Sequence, residues 1–135
     1  MEINDTITRL RDVAFDDGDI NTYSGEAQVL YRKLRDISLL QQGWDGFNAA
    51  PVNKQVIDNM LVVLNHCDGG QLKGWCIFPE VNGTILLQNY PRRAGINLGD
   101  NFFSYFCMNG NQVSGDDNKP FSASVFINIL NKING

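Results

Sequence analysis

Between two amphipathic segments the chain reads Gly43-Trp44-Asp45-Gly46-Phe47-Asn48-Ala49-Ala50-Pro51. This stretch combines two large aromatic residues with glycines, alanines and a proline. Glycine permits backbone angles that other residues resist, and proline fixes one of them. The composition therefore predicts a shaped, packed turn in which Trp44 and Phe47 fold back into the groove between two helices. Asp45 is suited to accept hydrogen bonds from nearby turn amides, as aspartate does in Asx-turns.

Helical periodicity flanks this turn on both sides. Apolar residues recur three or four apart over residues 24–42, and Gly43 is placed to end that helix in a left-handed conformation. A second helix is predicted over residues 53–68, with Asn53 as its N-cap. Two helices joined by a compact turn are expected to pack as a helical hairpin. A shorter helical pattern over residues 4–14 precedes them.

The second half of the chain changes to β-prone sequence. The predicted strands cover residues 75–81, 84–90, 94–98, 102–108 and, briefly, 112–114. Asn82-Gly83 and Asn109-Gly110 are hairpin signals, and the first predicts a type I′ turn with positive φ at both central residues. Pro79 indicates an edge strand or a bulge, because proline cannot donate to a sheet ladder. Residues 116–120 are typical of a polar loop, and a last helix is predicted from residue 122 to 131 or beyond.

Helices, then strands, then a helix is the element order of an α+β domain. We expect a helical hairpin plus a C-terminal helix, packed on one face of a four- to five-stranded antiparallel meander. The alternation of Trp75 with Ile77 and of Ile85 with Leu87 would supply the covered face. The chain has 135 residues and no internal repeat or dividing linker, so residues 1–135 are expected to form a single domain.

The composition limits the class of partner. Hydrophobic residues make up 43% of the chain and charged residues 19%, which is typical of a folded domain. The net charge is −4 and no basic run exceeds two residues, whereas a sequence-independent nucleic-acid binder needs a concentrated positive face. No leader pattern is visible, and no apolar stretch approaches the ~20 residues of a membrane helix. We therefore expect a cytoplasmic protein that binds neither nucleic acid nor membrane.

Cysteine and histidine are sparse. Cys67, Cys76 and Cys107 lie in apolar contexts at wide spacings, so buried, unbridged thiols are expected, with a Cys67–Cys76 bridge as the alternative. His66 lies near the end of the second predicted helix and is interpreted as a helix-end residue. It has no orienting partner in the sequence for cysteine–histidine catalysis.

The sequence shows no motif for binding a metal or a cofactor. A metal site needs three or four spaced ligands, which one histidine and three scattered cysteines do not provide. The acidic residues around Gly18 resemble a calcium loop, but the template would place Val13 and Phe15 at ligand positions, which favours a solvated acidic turn. There is no P-loop and no dinucleotide fingerprint. We expect no metal, no cofactor and no catalytic residue.

The turn also matches a recurrent pattern, Gly-Trp-(Asp/Asn)-Gly-(Tyr/Phe)-x-Ala-x-Pro. The matching residues are Gly43, Trp44, Asp45, Gly46, Phe47, Ala49 and Pro51. Over residues 35–90 the chain thereby resembles a family of small, uncharacterised bacterial α+β proteins. The family has no established reaction. Some of its members occur in toxin–antitoxin-like or mobile-element settings, so the resemblance implies a protein partner.

These observations favour a non-enzymatic protein-interaction module, accessory or antitoxin-like in role. The candidate binding residues are Trp44, Asp45, Phe47, Arg92 and Arg93. The two arginines lie in a strand connection and suit an acidic partner or a phosphate, with a solvated turn as the alternative. For the turn, a purely structural connector competes with a ligand-gripping role for Trp44 and Asp45. The other hypotheses are a small ligand-binding or enzymatic domain using a groove near the turn, and a homodimer paired through an exposed strand.

Overall fold

The computed structural model describes residues 25–67 and 70–135. Within these residues lie three α-helices, α1 (Gly25–Ser38), α2 (Lys54–His66) and α3 (Ala123–Asn134), and a 3₁₀ turn at Gly70–Leu72. The strands are β1 (Cys76–Pro79), β2 (Ile85–Asn89), β3 (Ala94–Leu98), β4 (Phe102–Asn109) and β5 (Gln112–Pro120). They form an antiparallel sheet in the order β1-β2-β3-β4-β5. This is the predicted α+β arrangement. The helix predicted over residues 4–14 and the acidic turn near Gly18 lie outside the described residues.

The helix boundaries follow local capping chemistry. Asn53 caps α2, since its Oδ1 accepts from the amide of Gln55 at 2.8 Å. Ser122 caps α3 through a bond from the amide of Val125 at 3.3 Å. The predicted end of the first helix at residue 42 is wrong. Helix α1 ends at Ser38, where the hydroxyl donates to the Arg35 carbonyl at 2.6 Å and the chain leaves the helical path.

The face of the sheet that the helices cover is built from aliphatic rows. Ile77 pairs with Leu87, and Leu87 pairs with Ile96 on the next strand. These side chains are completely buried and share one core cluster with the buried faces of all three helices. Trp75, Ile77, Ile85 and Leu87 are all buried, as the alternation predicts. The sheet and helices therefore enclose one continuous hydrophobic core.

The turn between β1 and β2 differs from the predicted type I′ geometry. Gly83 has φ of 89°, but Asn82 is not among the described residues with positive φ. The amide of Gly83 donates to the Glu80 carbonyl at 3.1 Å, which closes a four-residue turn with glycine at its end. Asn82 Oδ1 accepts from both the amide and the hydroxyl of Thr84, at 3.2 Å and 2.7 Å. These side-chain bonds hold Asn82 in a turn conformation that does not require a positive φ.

Strand β5 replaces the loop predicted at residues 116–120. Its pairing with β4 continues as far as Phe102↔Pro120, across a register shift between Phe103 and Tyr105. Asn118, with φ of 54°, lies at this irregularity, and its amide donates to Ser104 Oγ at 3.1 Å. Nearly all of β5 is exposed. An edge strand without a buried face carries no apolar alternation, so the sequence predicted only its first residues, 112–114, as a strand.

A buried amide ties α2 to the connection between β3 and β4. Asn59 is only 4% exposed, and its Nδ2 donates to the carbonyls of Gly99 at 3.0 Å and Asp100 at 2.9 Å. Its Oδ1 accepts from Gln55 Nε2 at 2.9 Å. The side chain therefore satisfies two loop carbonyls that the fold draws away from water.

Replacing Asn59 with alanine should lower the free energy of unfolding by about 2–3 kcal/mol, because both loop carbonyls lose their donor. Urea denaturation followed by circular dichroism measures the loss. Gln55→Ala is the matched control, since it removes only one bond at an exposed residue and should cost under about 1 kcal/mol. Equal losses in the two variants would show that Asn59 does not hold the loop.

Candidate functional site

The turn at residues 43–51 is closed by its own backbone. The amide of Gly43 donates to the Ala49 carbonyl at 2.8 Å, and the amide of Gly46 donates to the Gly43 carbonyl at 2.9 Å. Gly43 and Gly46 have φ of 80° and 86°. Side chains other than glycine are strained at these angles, so the two glycines permit the shape that the sequence predicted.

Asp45 and Trp44 direct their polar atoms into the turn. Asp45 Oδ1 accepts from the amides of Phe47 at 2.9 Å and Ala49 at 3.1 Å, which is the predicted Asx-type bonding. Trp44 Nε1 donates to the Ala50 carbonyl at 2.8 Å. Both side chains thus stabilise the loop conformation itself.

Phe47 does not pack into the groove between the helices, so that prediction is wrong. Phe47 is 83% exposed, whereas Ala49 is 2% exposed. Phe47 is exposed because the amides of Phe47 and Ala49 both donate to Asp45 Oδ1, so the backbone curls around this oxygen. In that winding Ala49 faces the interior and Phe47 faces outward, while Trp44 is half-buried.

The turn is anchored to the β1–β2 hairpin as well as to the helices. The amide of Ala50 donates to the Val81 carbonyl at 2.8 Å, and the amide of Asn53 donates to the Gly83 carbonyl at 2.9 Å. A Cβ at Gly83 would lie 3.2 Å from the Pro51 carbonyl oxygen, so glycine permits this close approach. Sequence reasoning missed Val81, because no local pattern indicates a contact made across the fold.

Arg92 and Arg93 lie away from the turn. The hairpin that holds the turn precedes β2, whereas the arginines follow the other end of that strand. Arg92 Nη1 donates to the Ile133 carbonyl at 3.4 Å, near the end of α3. Arg93 has φ of 51°, and its carbonyl accepts from the amide of Met108 at 3.2 Å. The predicted binding residues therefore form two separate groups. Trp44, Asp45 and Phe47 lie near the start of β2, and Arg92 and Arg93 follow its end.

The cysteines and the histidine occupy structural positions. Cys67 is buried, Cys107 is partly buried and Cys76 is exposed, and all three are thiols rather than disulfide partners. The predicted burial is wrong for Cys76, which is exposed on edge strand β1, where its neighbour Ile77 takes the buried position. His66 Nδ1 lies 2.8 Å from the Val62 carbonyl, one turn back in α2, as expected of a helix-end residue. Within residues 25–67 and 70–135, no cluster of three or more metal-ligating side chains occurs.

Comparison with known proteins gives no match at any level. No family model matches the chain, no curated protein matches its sequence, and no solved structure matches its fold. The family resemblance of the turn therefore stays a prediction. In the part of the chain that the structure describes, no helix combines the length and apolar character needed to cross a membrane.

Replacing Asp45 with alanine should lower the free energy of unfolding by about 1–2 kcal/mol, because two turn amides lose their acceptor. Asp45→Asn keeps an acceptor oxygen and should cost less. Chemical denaturation measures both, and Asn48→Ala, at an exposed neighbouring position in the same turn, is the control. A loss for Asp45→Ala no greater than that of the control would contradict the structural role of the carboxylate.

Proposed function

We propose that this protein is a non-enzymatic protein-interaction module whose contact surface is centred on Phe47. The observation that carries the proposal is the 83% exposure of this residue within a turn of defined shape. The ring projects from a backbone whose amides at residues 47 and 49 are both bonded to Asp45. Aromatic residues, phenylalanine included, are enriched in protein–protein interfaces relative to the rest of the surface.

The energetic case rests on preorganisation. Burying a phenylalanine ring contributes about 1.5–3 kcal/mol, and part of that gain is ordinarily lost when a mobile segment must be ordered. Here the hydrogen bonds of Asp45 and Trp44 fix the turn before any partner arrives. The partner then meets a single backbone conformation, and more of the burial energy is available for binding.

A second exposed apolar residue lies in a segment that is bonded to the turn. Val81 is 56% exposed at the tip of the β1–β2 hairpin, and its carbonyl accepts from Ala50 in the turn. Phe47 and Val81 therefore belong to two segments that are bonded to each other. A partner with an apolar pocket suits this pair. A protein partner is also what the resemblance of the turn implies, in an accessory or antitoxin-like role.

The competing hypotheses receive less support. A ligand-gripping role for Trp44 and Asp45 is disfavoured because Trp44 Nε1 and Asp45 Oδ1 are bonded within the turn, which leaves Asp45 Oδ2 as the remaining side-chain polar atom of the pair. A homodimer would use the exposed edge of β5 rather than the turn. Size-exclusion chromatography with light scattering separates that arrangement from binding to a different protein.

Phe47→Ala should weaken partner binding by at least about thirtyfold, as truncation of an aromatic hot spot does. The same change should alter the free energy of unfolding by under about 0.5 kcal/mol, because an exposed ring contributes little to the core. The partner is identified by affinity capture from the native cell extract, comparing the unaltered protein with the variant. Its affinity for both is then measured by titration calorimetry with purified components.

Val29→Ala is the matched control, because Val29 is 63% exposed on α1 and is equally apolar. It should leave both affinity and stability unchanged. The proposal fails if the captured partner binds Phe47→Ala as tightly as it binds the unaltered protein. It also fails if Phe47→Ala destabilises the fold as much as Asp45→Ala, since the ring would then have a structural role.

A further inference from the structure

A second candidate site lies at the opposite end of β2 from the turn. A cavity of about 300 Å³ opens there, between the connection that follows β2 and the end of α3. The lining residues that matter to its chemistry are Lys73, Gly74, Asn89, Arg92 and Asn134. This volume is at the lower end of the range for small-molecule sites.

Asn89 places a hydrogen-bond donor in the wall of this cavity. The residue is only 2% exposed, and its Oδ1 accepts from the amide of Arg92 at 3.2 Å. Because a backbone amide can only donate, this bond fixes which end of the side-chain amide is oxygen. The other end, Nδ2, has no hydrogen-bond acceptor among the described residues. Nδ2 is not one of the fully enclosed atoms of the described residues, so it is a donor that a bound acceptor can reach, held in a residue that is otherwise buried.

Gly74 keeps the space beside this donor open. Its φ is 83°, and a Cβ built on it would lie 3.3 Å from Asn89 Nδ2. A side chain at this position would therefore obstruct approach to the amide. Because Gly74 has no side chain, Asn89 Nδ2 can be reached from the cavity.

The charged side chains among the described lining residues of the cavity are cationic. Lys73 and Arg92 line it and are exposed, and no acidic residue occurs among the described lining residues. The bond from Arg92 Nη1 to the Ile133 carbonyl positions the guanidinium and uses one of its five N–H groups. Asn134 is held in place, since its Oδ1 accepts from Trp75 Nε1 and one N–H of its Nδ2 donates to the Gln71 carbonyl.

We propose that this cavity binds a small oxyanion, a phosphate or carboxylate group carried by a small molecule. Asn89 Nδ2, the Arg92 guanidinium and the Lys73 ammonium donate to its oxygens. Bonds from cationic donors to an oxyanion are among the stronger hydrogen bonds in proteins, and a neutral amide adds direction to them. This site is independent of the interaction surface at Phe47, because β2 separates the two.

The test is an NMR titration of the ¹⁵N-labelled protein with inorganic phosphate and, separately, with acetate, both at constant ionic strength. Binding should shift the side-chain amide resonances of Asn89 and the backbone amide of Gly74 along saturable curves. Saturation by either anion supports the site and distinguishes the tetrahedral from the planar oxyanion. Shifts that rise linearly with both anions, or equally with sodium chloride, overturn it.

Two variants and a control assign the contacts. Asn89→Asp replaces the donor with a carboxylate of the same shape and should abolish binding. That change buries a charge and risks unfolding, so Lys73→Gln, at an exposed position, is the decisive variant and should weaken binding about threefold to tenfold. Lys54→Gln removes an exposed lysine on α2 outside the cavity lining and should leave affinity unchanged. If Lys54→Gln weakens binding as much as Lys73→Gln, the effect is one of net charge and the proposed site is wrong.

Discussion

The Asp45 carboxylate is the interaction on which the architecture around the turn depends. By accepting from two amides separated by one residue, it winds the backbone so that Ala49 enters the interior and Phe47 stays outside. The same winding brings the amide of Ala50 to the hairpin carbonyl of Val81. This one acceptor atom thus contributes to three properties of the fold. They are the reversal of chain direction between two helices, the attachment of the turn to the sheet and the exposure of an aromatic ring.

Much of the fold could be predicted because most of its helices and strands have local sequence signals. Helical periodicity and the Asn53 cap define α2, and aliphatic alternation defines the buried rows of the sheet. The predictions failed where side-chain hydrogen bonds or the absence of burial decided the outcome. Strand β5 has no apolar face to detect, and Asn82 avoids the left-handed conformation because its side chain bonds to Thr84.

The candidate sites were less predictable than the fold. Trp44 and Asp45 could be recognised as important from turn chemistry, but the direction of Phe47 follows from bonds that only coordinates reveal. Arg92 was recognised as a cation in a strand connection. Its neighbours Lys73 and Asn89 come from other segments, and the depth of Asn89 cannot be inferred from a residue at the end of a short strand.

The open edge of β5 affects whether copies of this protein associate with one another at high concentration. A nine-residue strand with one side open could template the addition of further chains, yet Asp116 and Asp117 place negative charge along it. The register shift and the left-handed Asn118 also bend its path, so an incoming straight strand could match only part of its length. Polymerisation along this edge is therefore opposed by both electrostatics and shape.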